Sequence, residues 1–219
     1  MAEMSITGFL VILAAYLLGS VPTGHIIVRK IKGIDIRETG SGSTGATNVN
    51  RQLGRDWGRA VLVLGALKGF LVAAFVLIFF RFNLWVAGLA IFLVVLGHVY
   101  PVFLKFRGGK GVATFLGVLI PILVICLGGF PHPWTYGAIA GVVISWVIVH
   151  KIRKQMGLSS LFLMALVILY FGGLTAFTDF SAYFTLTIFI TILALFIIYK
   201  HRENWQRLLK GQEPKTDLI

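Results

Sequence analysis

Seven apolar stretches, separated by short polar segments, leave this chain few ways to fold. They are Met4–Val21, Ala60–Phe80, Leu84–Leu104, Val112–Phe130, Trp134–Val149, Leu158–Phe177 and Phe180–Tyr199. Most approach the roughly 20 residues a helix needs to cross a bilayer; Trp134–Val149, at 16 residues, is the shortest. They are apolar on every face, whereas the strands of a membrane barrel would alternate with period two in shorter segments. A single stretch of this kind could be a buried core helix. Seven in succession, in 219 residues that are 58% hydrophobic and 13% charged, exclude an ordinary soluble domain. The sequence therefore reads as an all-α integral membrane protein with seven transmembrane helices, residues 1–219 forming one membrane domain.

The basic residues give the orientation. Eighteen of the twenty Lys and Arg follow spans one, three and five or lie in the C-terminal tail; the exceptions are Lys68, inside span two, and Arg81. Basic loops stay in the cytoplasm, so the N-terminus is expected outside and the C-terminus cytoplasmic, which an odd number of spans satisfies. Met1–Ser20 lacks a basic n-region and reads as a first span, not as a cleaved signal peptide. The net charge of +12 is divided among loops. That pattern suits anionic lipid headgroups and not nucleic acid. Cys126, the only cysteine, sits in an apolar span, and the eight acidic residues form no cluster able to hold Mg²⁺ or Ca²⁺. No metal and no cofactor is expected.

Three polar runs interrupt the apolar pattern on the cytoplasmic side: Gly40–Arg51, Gly97–Thr114 and His201–Glu213. Closely spaced glycines let backbone amides converge on an anion, and the basic side chains add charge, which together suit a phosphate at a membrane surface. Gly40-Ser41-Gly42-Ser43-Thr44-Gly45 matches G-x-G-x-x-G, but no strand precedes it and no βαβ unit could surround it. Gly108-Gly109-Lys110-Gly111 fails as a nucleoside-triphosphate loop, because Leu104 stands where the first glycine should be. It does lead directly into a span, which adds the positive end of a helix dipole to the charge of Lys110. In the third run His201, Asn204 and Arg207 recur every three residues on one face, while Leu208 and Leu209 can dip into the interface. Lys68 is costly within a span; a structural or supporting role is favoured for it. His25 and His150 at span edges and His132 on the outer side read as interfacial. No histidine is followed five positions later by aspartate, so the H-x-x-x-x-D pair of thioester-using acyltransferases is absent.

The three runs resemble the motifs of the bacterial acyl-phosphate:glycerol-3-phosphate acyltransferase family. The resemblance rests on Ser41-Gly42-x-x-Gly45-Ala46-Thr47-Asn48-x-x-Arg51, on Gly97-His98-x-x-Pro101-x-Phe103-x-x-Phe106-x-Gly108-Gly109-Lys110-Gly111-Val112-Ala113-Thr114, and on His201-x-x-Asn204-x-x-Arg207-Leu208-Leu209-x-Gly211-x-Glu213. It covers essentially the whole chain. Two positions depart from the family: Ser43 replaces an asparagine, and Gly65 replaces the aspartate usually found three residues before the Lys-Gly of span two.

The resemblance implies a multi-pass enzyme of the bacterial inner membrane, its active site facing the cytoplasm. It would transfer a fatty acyl group from acyl phosphate to the 1-hydroxyl of glycerol 3-phosphate, giving lysophosphatidate and phosphate. Its expected partners are these two substrates and membrane lipids. Acyl phosphate already carries a good leaving group, so the site mainly needs positioning and charge stabilisation. Arg51, Lys110 and Arg207 would offset the charge of two phosphates, with amides at Gly42, Gly45, Gly108, Gly109 and Gly111. Ser41, Ser43, Thr47, Asn48, His98 and Thr114 would orient oxygens, and Lys68 and Glu213 would support them. His201, with Asn204, is the candidate proton acceptor, a phosphate oxygen of the substrate being the alternative; an acyl-enzyme at Ser41 is disfavoured, since no base is paired with it. A transporter would use the same basic mouth, but no internal repeat is visible. A purely structural subunit would leave the Gly/Lys/Asn runs without a purpose.

Overall fold

The computed structural model describes residues 5–80, 83–126, 133–177 and 184–219. The expectations for Arg81 and His132, and for the outer hairpins 131–133 and 178–179, fall wholly or mainly outside these residues. The described chain is helical, with no β-strand, and the described part of each of the seven apolar stretches is mostly helix. Its contacts gather into two compact units, one running to Cys126 and including Leu218, the other covering 127–217 with Ile219.

The first unit begins with α1 (Ile6–Ser20), capped by the Ser5 hydroxyl, which accepts from the Gly8 amide at 3.1 Å. Pro22 breaks the helix, and α2 (Thr23–Lys32) follows until Gly33 ends it in a left-handed conformation, φ 71°. A polar loop leads through one 3₁₀ turn (Ile36–Glu38) to α3 (Ala46–Leu53), and then come α4 (Arg55–Phe79) and α5 (Leu84–Val99). After Val99 the chain makes a second 3₁₀ turn (Val102–Leu104), and α6 starts at Val112. Helix α6 reaches Pro121 and continues as a single π-helical turn, Ile122–Cys126. Proline carries no amide to donate, so the wider turn falls where the regular ladder must break.

Within a bilayer no hydrophobic force draws apolar helices together, so small residues that permit close backbone approach do that work. Gly65 and Gly69 form a G-x-x-x-G pair on α4. A side chain at Gly69 would strike the Thr114 carbonyl of α6, and one at Gly117 of α6 would strike the Ala66 carbonyl. Gly19 of α1 is pressed to Val94 of α5 in the same way, and Gly97 to Tyr16. The pairs Gly8–Val86 and Gly19–Val94 advance in the same order along both helices, so α1 and α5 run parallel. Their C-terminal ends, one followed by Pro22 and α2 and the other by the second polar run, therefore lie together.

The second unit holds α7 (Pro133–Arg153), α8 (Met156–Phe177), α9 (Phe184–Lys200) and α10 (Arg202–Leu209). Helix α10 bends away from α9 by 52°. By length and composition, four helical segments could cross a membrane: Ile6–Lys32, Arg55–Phe79, Leu84–Leu104 and Met156–Gly173. Taking the α9–α10 pair as one span makes five, and Val112–Ile125 is a shorter apolar helix.

Candidate active site

The first polar run is folded around one side chain. Asn48, on the inner face of α3, is 1% exposed. Its amide nitrogen donates to the carbonyls of Ile36, Thr39 and Ser43 at 3.2, 3.0 and 2.9 Å, and its oxygen accepts from the Ser41 amide at 3.3 Å. These bonds close residues 36–48 into a compact loop. The loop needs left-handed backbone at Gly40 and Gly42, and a side chain at Gly40 would collide with the Asn48 carboxamide. The Gly42 amide is bonded to the Thr39 carbonyl at 3.0 Å and the Gly45 amide to the Ser43 hydroxyl at 3.2 Å. These two amides, expected to face an anion, are thus spent inside the loop, and Asn48 organises the backbone. Ser41 is exposed at the loop surface. Gly45 caps α3, on whose outer face partly buried Thr47 and exposed Arg51 stand one turn apart.

The second run folds back on the end of α5. The Gly108 amide donates to the Val99 carbonyl at 3.2 Å and the Gly109 amide to the His98 carbonyl at 3.1 Å. A side chain at Gly108 would strike the His98 carbonyl, and one at Gly109 the His98 imidazole. Here too the glycines make room for a tight return; they do not present bare amides. To enter that return, Lys105 and Phe106 both take left-handed backbone, φ 51° and 61°, a costly conformation for residues with a Cβ. The chain then passes partly buried Lys110 to Gly111, which caps α6 at φ 89°. The first turn of α6 carries the amides of Val112, Ala113 and Thr114, which no carbonyl of their own helix can accept. Thr114 is fully buried, and its hydroxyl has no hydrogen-bond partner among the described residues.

One bond joins the two runs, the Thr44 amide donating to the Gly108 carbonyl at 3.4 Å. It joins the segments that lead into α3 and α6, so two positive helix ends and Lys110 belong to one neighbourhood, with Arg51 at the far end of α3. Lys68 supports it from α4. Its ammonium donates to the carbonyls of Gly19 and Val21 at 3.0 and 2.7 Å, occupying the C-terminal end of α1, where a cation is favoured. Ser20, Thr44, Lys68, His98 and Pro101 line a narrow cleft there. It encloses about 10 Å³, the room of one water and not of a substrate.

Sequence reasoning missed two residues in this region, Asp35 and Arg37. The Asp35 carboxylate accepts from the Arg37 amide at 2.9 Å and takes Nε on both oxygens at 3.0 Å, with Nη2 at 2.5 Å. Arg37 Nη1 donates to the Leu104 carbonyl in the second run, at 2.9 Å. The Arg37 guanidinium holds the Asp35 carboxyl well below the usual carboxylate range, against a smaller opposing effect of burial; Asp35 in turn raises Arg37. His25 Nδ1 lies 3.3 Å from Asp35 Oδ1, without hydrogen-bond geometry. Only the D-x-R spacing could have signalled this pair.

In the second unit the third run forms a separate polar knot. His201, Asn204 and Glu213 are buried, at 3, 6 and 6% exposure. Glu213 accepts from Asn204 Nδ2 at 2.6 Å and from Arg207 Nε at 2.9 Å, so the three-residue spacing does place these groups on one face. Gly157 of α8 leaves space for the Glu213 and Asn204 side chains, which any larger residue would meet. His201 Nδ1 lies 2.8 Å from the Ile197 carbonyl. A carbonyl only accepts, so Nδ1 carries the proton, and in the neutral ring Nε2 is then the basic nitrogen. Trp205 and Leu209 point outward, 54 and 73% exposed, while Leu208 is partly buried.

Residues 9–211 match the sequence family described as Glycerol-3-phosphate acyltransferase. A relative of that name from Nostoc sp. is 39% identical, across 94% of this chain and 90% of its own length. Another from Aquifex aeolicus is 38% identical, across 94% and 96%. A crystal structure of PlsY (YgiH), an integral membrane glycerol 3-phosphate acyltransferase in its glycerol 3-phosphate form, superposes with a TM-score of 0.78 at 33% identity, covering 96% of both chains.

Proposed function

The chain belongs to the glycerol-3-phosphate acyltransferase family, and from that premise we propose that it moves a fatty acyl group from acyl phosphate to the 1-hydroxyl of glycerol 3-phosphate. The products are lysophosphatidate and inorganic phosphate. One observation carries the reading at this site: the starts of α3 and α6 are tied together by the Thr44–Gly108 bond, with Lys110 leading into α6 and Arg51 on the outer face of α3, one turn beyond Thr47. Two substrates that each bear a phosphate need two such positive ends close together, so that their mutual repulsion is offset.

In this reading Arg51 and Lys110 hold phosphate charge, and Thr47 and the Thr114 hydroxyl orient phosphate oxygens. Ser41 stays a candidate contact at the exposed loop edge. Gly42, Ser43, Gly45, Asn48, Gly108, Gly109 and His98 shape the two loops. The glycerol hydroxyl oxygen attacks the acyl carbonyl, the C–O bond to phosphate breaks, and phosphate departs with the electron pair. His201 Nε2 accepts the hydroxyl proton, while Asn204 and Arg207 act with it, set in place by Glu213. We further propose seven spans within a single membrane domain of the bacterial inner membrane. The N-terminus is outside, and the C-terminus and all three polar runs are cytoplasmic.

The test uses detergent-purified full-length protein and labelled glycerol 3-phosphate, comparing palmitoyl phosphate with palmitoyl-CoA at matched concentrations. Lysophosphatidate should form with the phosphate donor and only poorly with the thioester. Comparable or faster turnover with the thioester defeats the donor assignment, because nothing in the site would activate a thioester.

A further inference from the structure

We propose that Asp35 and Arg37 are positioning residues for acyl transfer: a bidentate ion pair that locks the second polar run against the first. The inference rests on the function proposed above. Nothing in the reaction uses these two residues, yet their geometry is highly determined. Asp35 caps the 3₁₀ turn Ile36–Glu38 through the Arg37 amide and grips the guanidinium with both oxygens. Being gripped, the guanidinium has one edge fixed on its own loop, and from there Nη1 reaches the Leu104 carbonyl, 67 residues further along.

Leu104 is a telling place to hold. It is 7% exposed and ends the turn from which Lys105 and Phe106 enter left-handed backbone. Its carbonyl also accepts from the Arg107 amide at 3.2 Å. Two consecutive side-chain-bearing residues in that conformation persist only where their surroundings over-determine them. Bonds from the Phe106 amide to Pro101 and from the Gly108 amide to Val99 hold the return from within. Arg37 holds it from the other loop, whose own shape Asn48 fixes through the neighbouring Ile36 and Thr39 carbonyls. The pair therefore sets where Lys110 and the start of α6 stand relative to the start of α3. An isolated arginine could not do this, since a rotatable side chain fixes a carbonyl only when its own orientation is fixed.

Two conservative variants of the full-length protein test the proposal. Arg37→Lys keeps the charge but cannot both chelate Asp35 and reach Leu104; Asp35→Asn keeps the shape but loses the ionic grip. Each should raise KM for glycerol 3-phosphate at least fivefold, with kcat within twofold of the parent. The double variant should be no worse than the worse single one, as groups acting as a unit require. Hydrogen exchange, measured without substrate, should quicken at the amides of Lys105–Gly109 in both variants and stay unchanged in α4. Unchanged exchange at those amides overturns the lock whatever the kinetics. Quickened exchange with unchanged KM, or additive single effects, overturns its role in positioning. Failure of the parent protein to acylate glycerol 3-phosphate would sink the functional reading and with it the positioning role, while the exchange result would still decide whether the lock exists.

Discussion

Replacing Asn48 by alanine separates two roles that its place in the first run leaves equally plausible from sequence. If Asn48 contacts substrate, Asn48→Ala should weaken binding and leave the protein's structure alone. The geometry argues otherwise, because the carboxamide contacts four backbone groups within residues 36–43, its two N–H donors shared among three carbonyls and its oxygen accepting one amide. At about 0.5–1.5 kcal/mol net for each of the three hydrogens engaged, the loop should lose roughly 1.5–4.5 kcal/mol. At about 1.4 kcal/mol per factor of ten, even the lower figure speeds local opening more than tenfold. Hydrogen exchange read by mass spectrometry should show this at Thr39, Ser41 and Gly42, whose amides lie inside the loop, before α4 or α5 respond. Asn48→Asp should open the loop further at neutral pH, since it sets a carboxylate oxygen against three carbonyls. Exchange at residues 39–42 equal to the parent's, together with a raised KM, would refute the structural assignment and return Asn48 to the substrate.

Thr114→Val removes a fully buried hydroxyl that has no partner among the described residues. An unsatisfied buried polar group costs about 1–3 kcal/mol, so the variant should melt higher without ligand yet show a raised KM for glycerol 3-phosphate; a lowered melting temperature would mean the hydroxyl is already satisfied. Asp35 titrates below its usual value near 3.9. Its unfolded form therefore takes up a proton first, and the stability it contributes is complete above about pH 4 and is lost as pH falls through the lower folded value. Asp35→Asn should flatten that acid limb in melting temperatures recorded from pH 3 to 7, and an unaltered limb would count against the Arg37 pairing.

The helical frame was legible because bilayer physics writes itself into composition. Apolar length marks the helices, and Pro22, Gly33 and Pro101 mark where they stop. What composition does not carry is the choice of neighbour. Gly65 looked like a loss, a missing aspartate beside Lys68, until α4 and α6 were seen to meet along Gly65, Gly69 and Gly117. The G-x-x-x-G spacing was present throughout, but it gains meaning only when a second helix is known to cross there. Lys68 stands out in sequence as a cation within a span, yet its partners are two backbone carbonyls, which no sequence pattern can nominate.

The glycine-rich runs show a subtler limit. From sequence, a glycine whose amide faces an anion and a glycine whose missing side chain admits a neighbour are the same letter. Gly108 and Gly109 are of the second kind: their amides are bonded to Val99 and His98, and their Cβ positions are filled by His98. Gly42 and Gly45 likewise spend their amides within the loop. In the function proposed above, phosphate charge is then left to the side chains Arg51 and Lys110 and to the helix starts at α3 and α6, whose first amides have no carbonyl of their own helix to meet. For that proposed reaction the division favours catalysis. A loop whose amides are already satisfied does not reorganise as charge develops on the departing phosphate, so its cations and helix ends act from fixed positions, and stabilisation from fixed dipoles avoids the reorganisation that mobile donors would have to undergo.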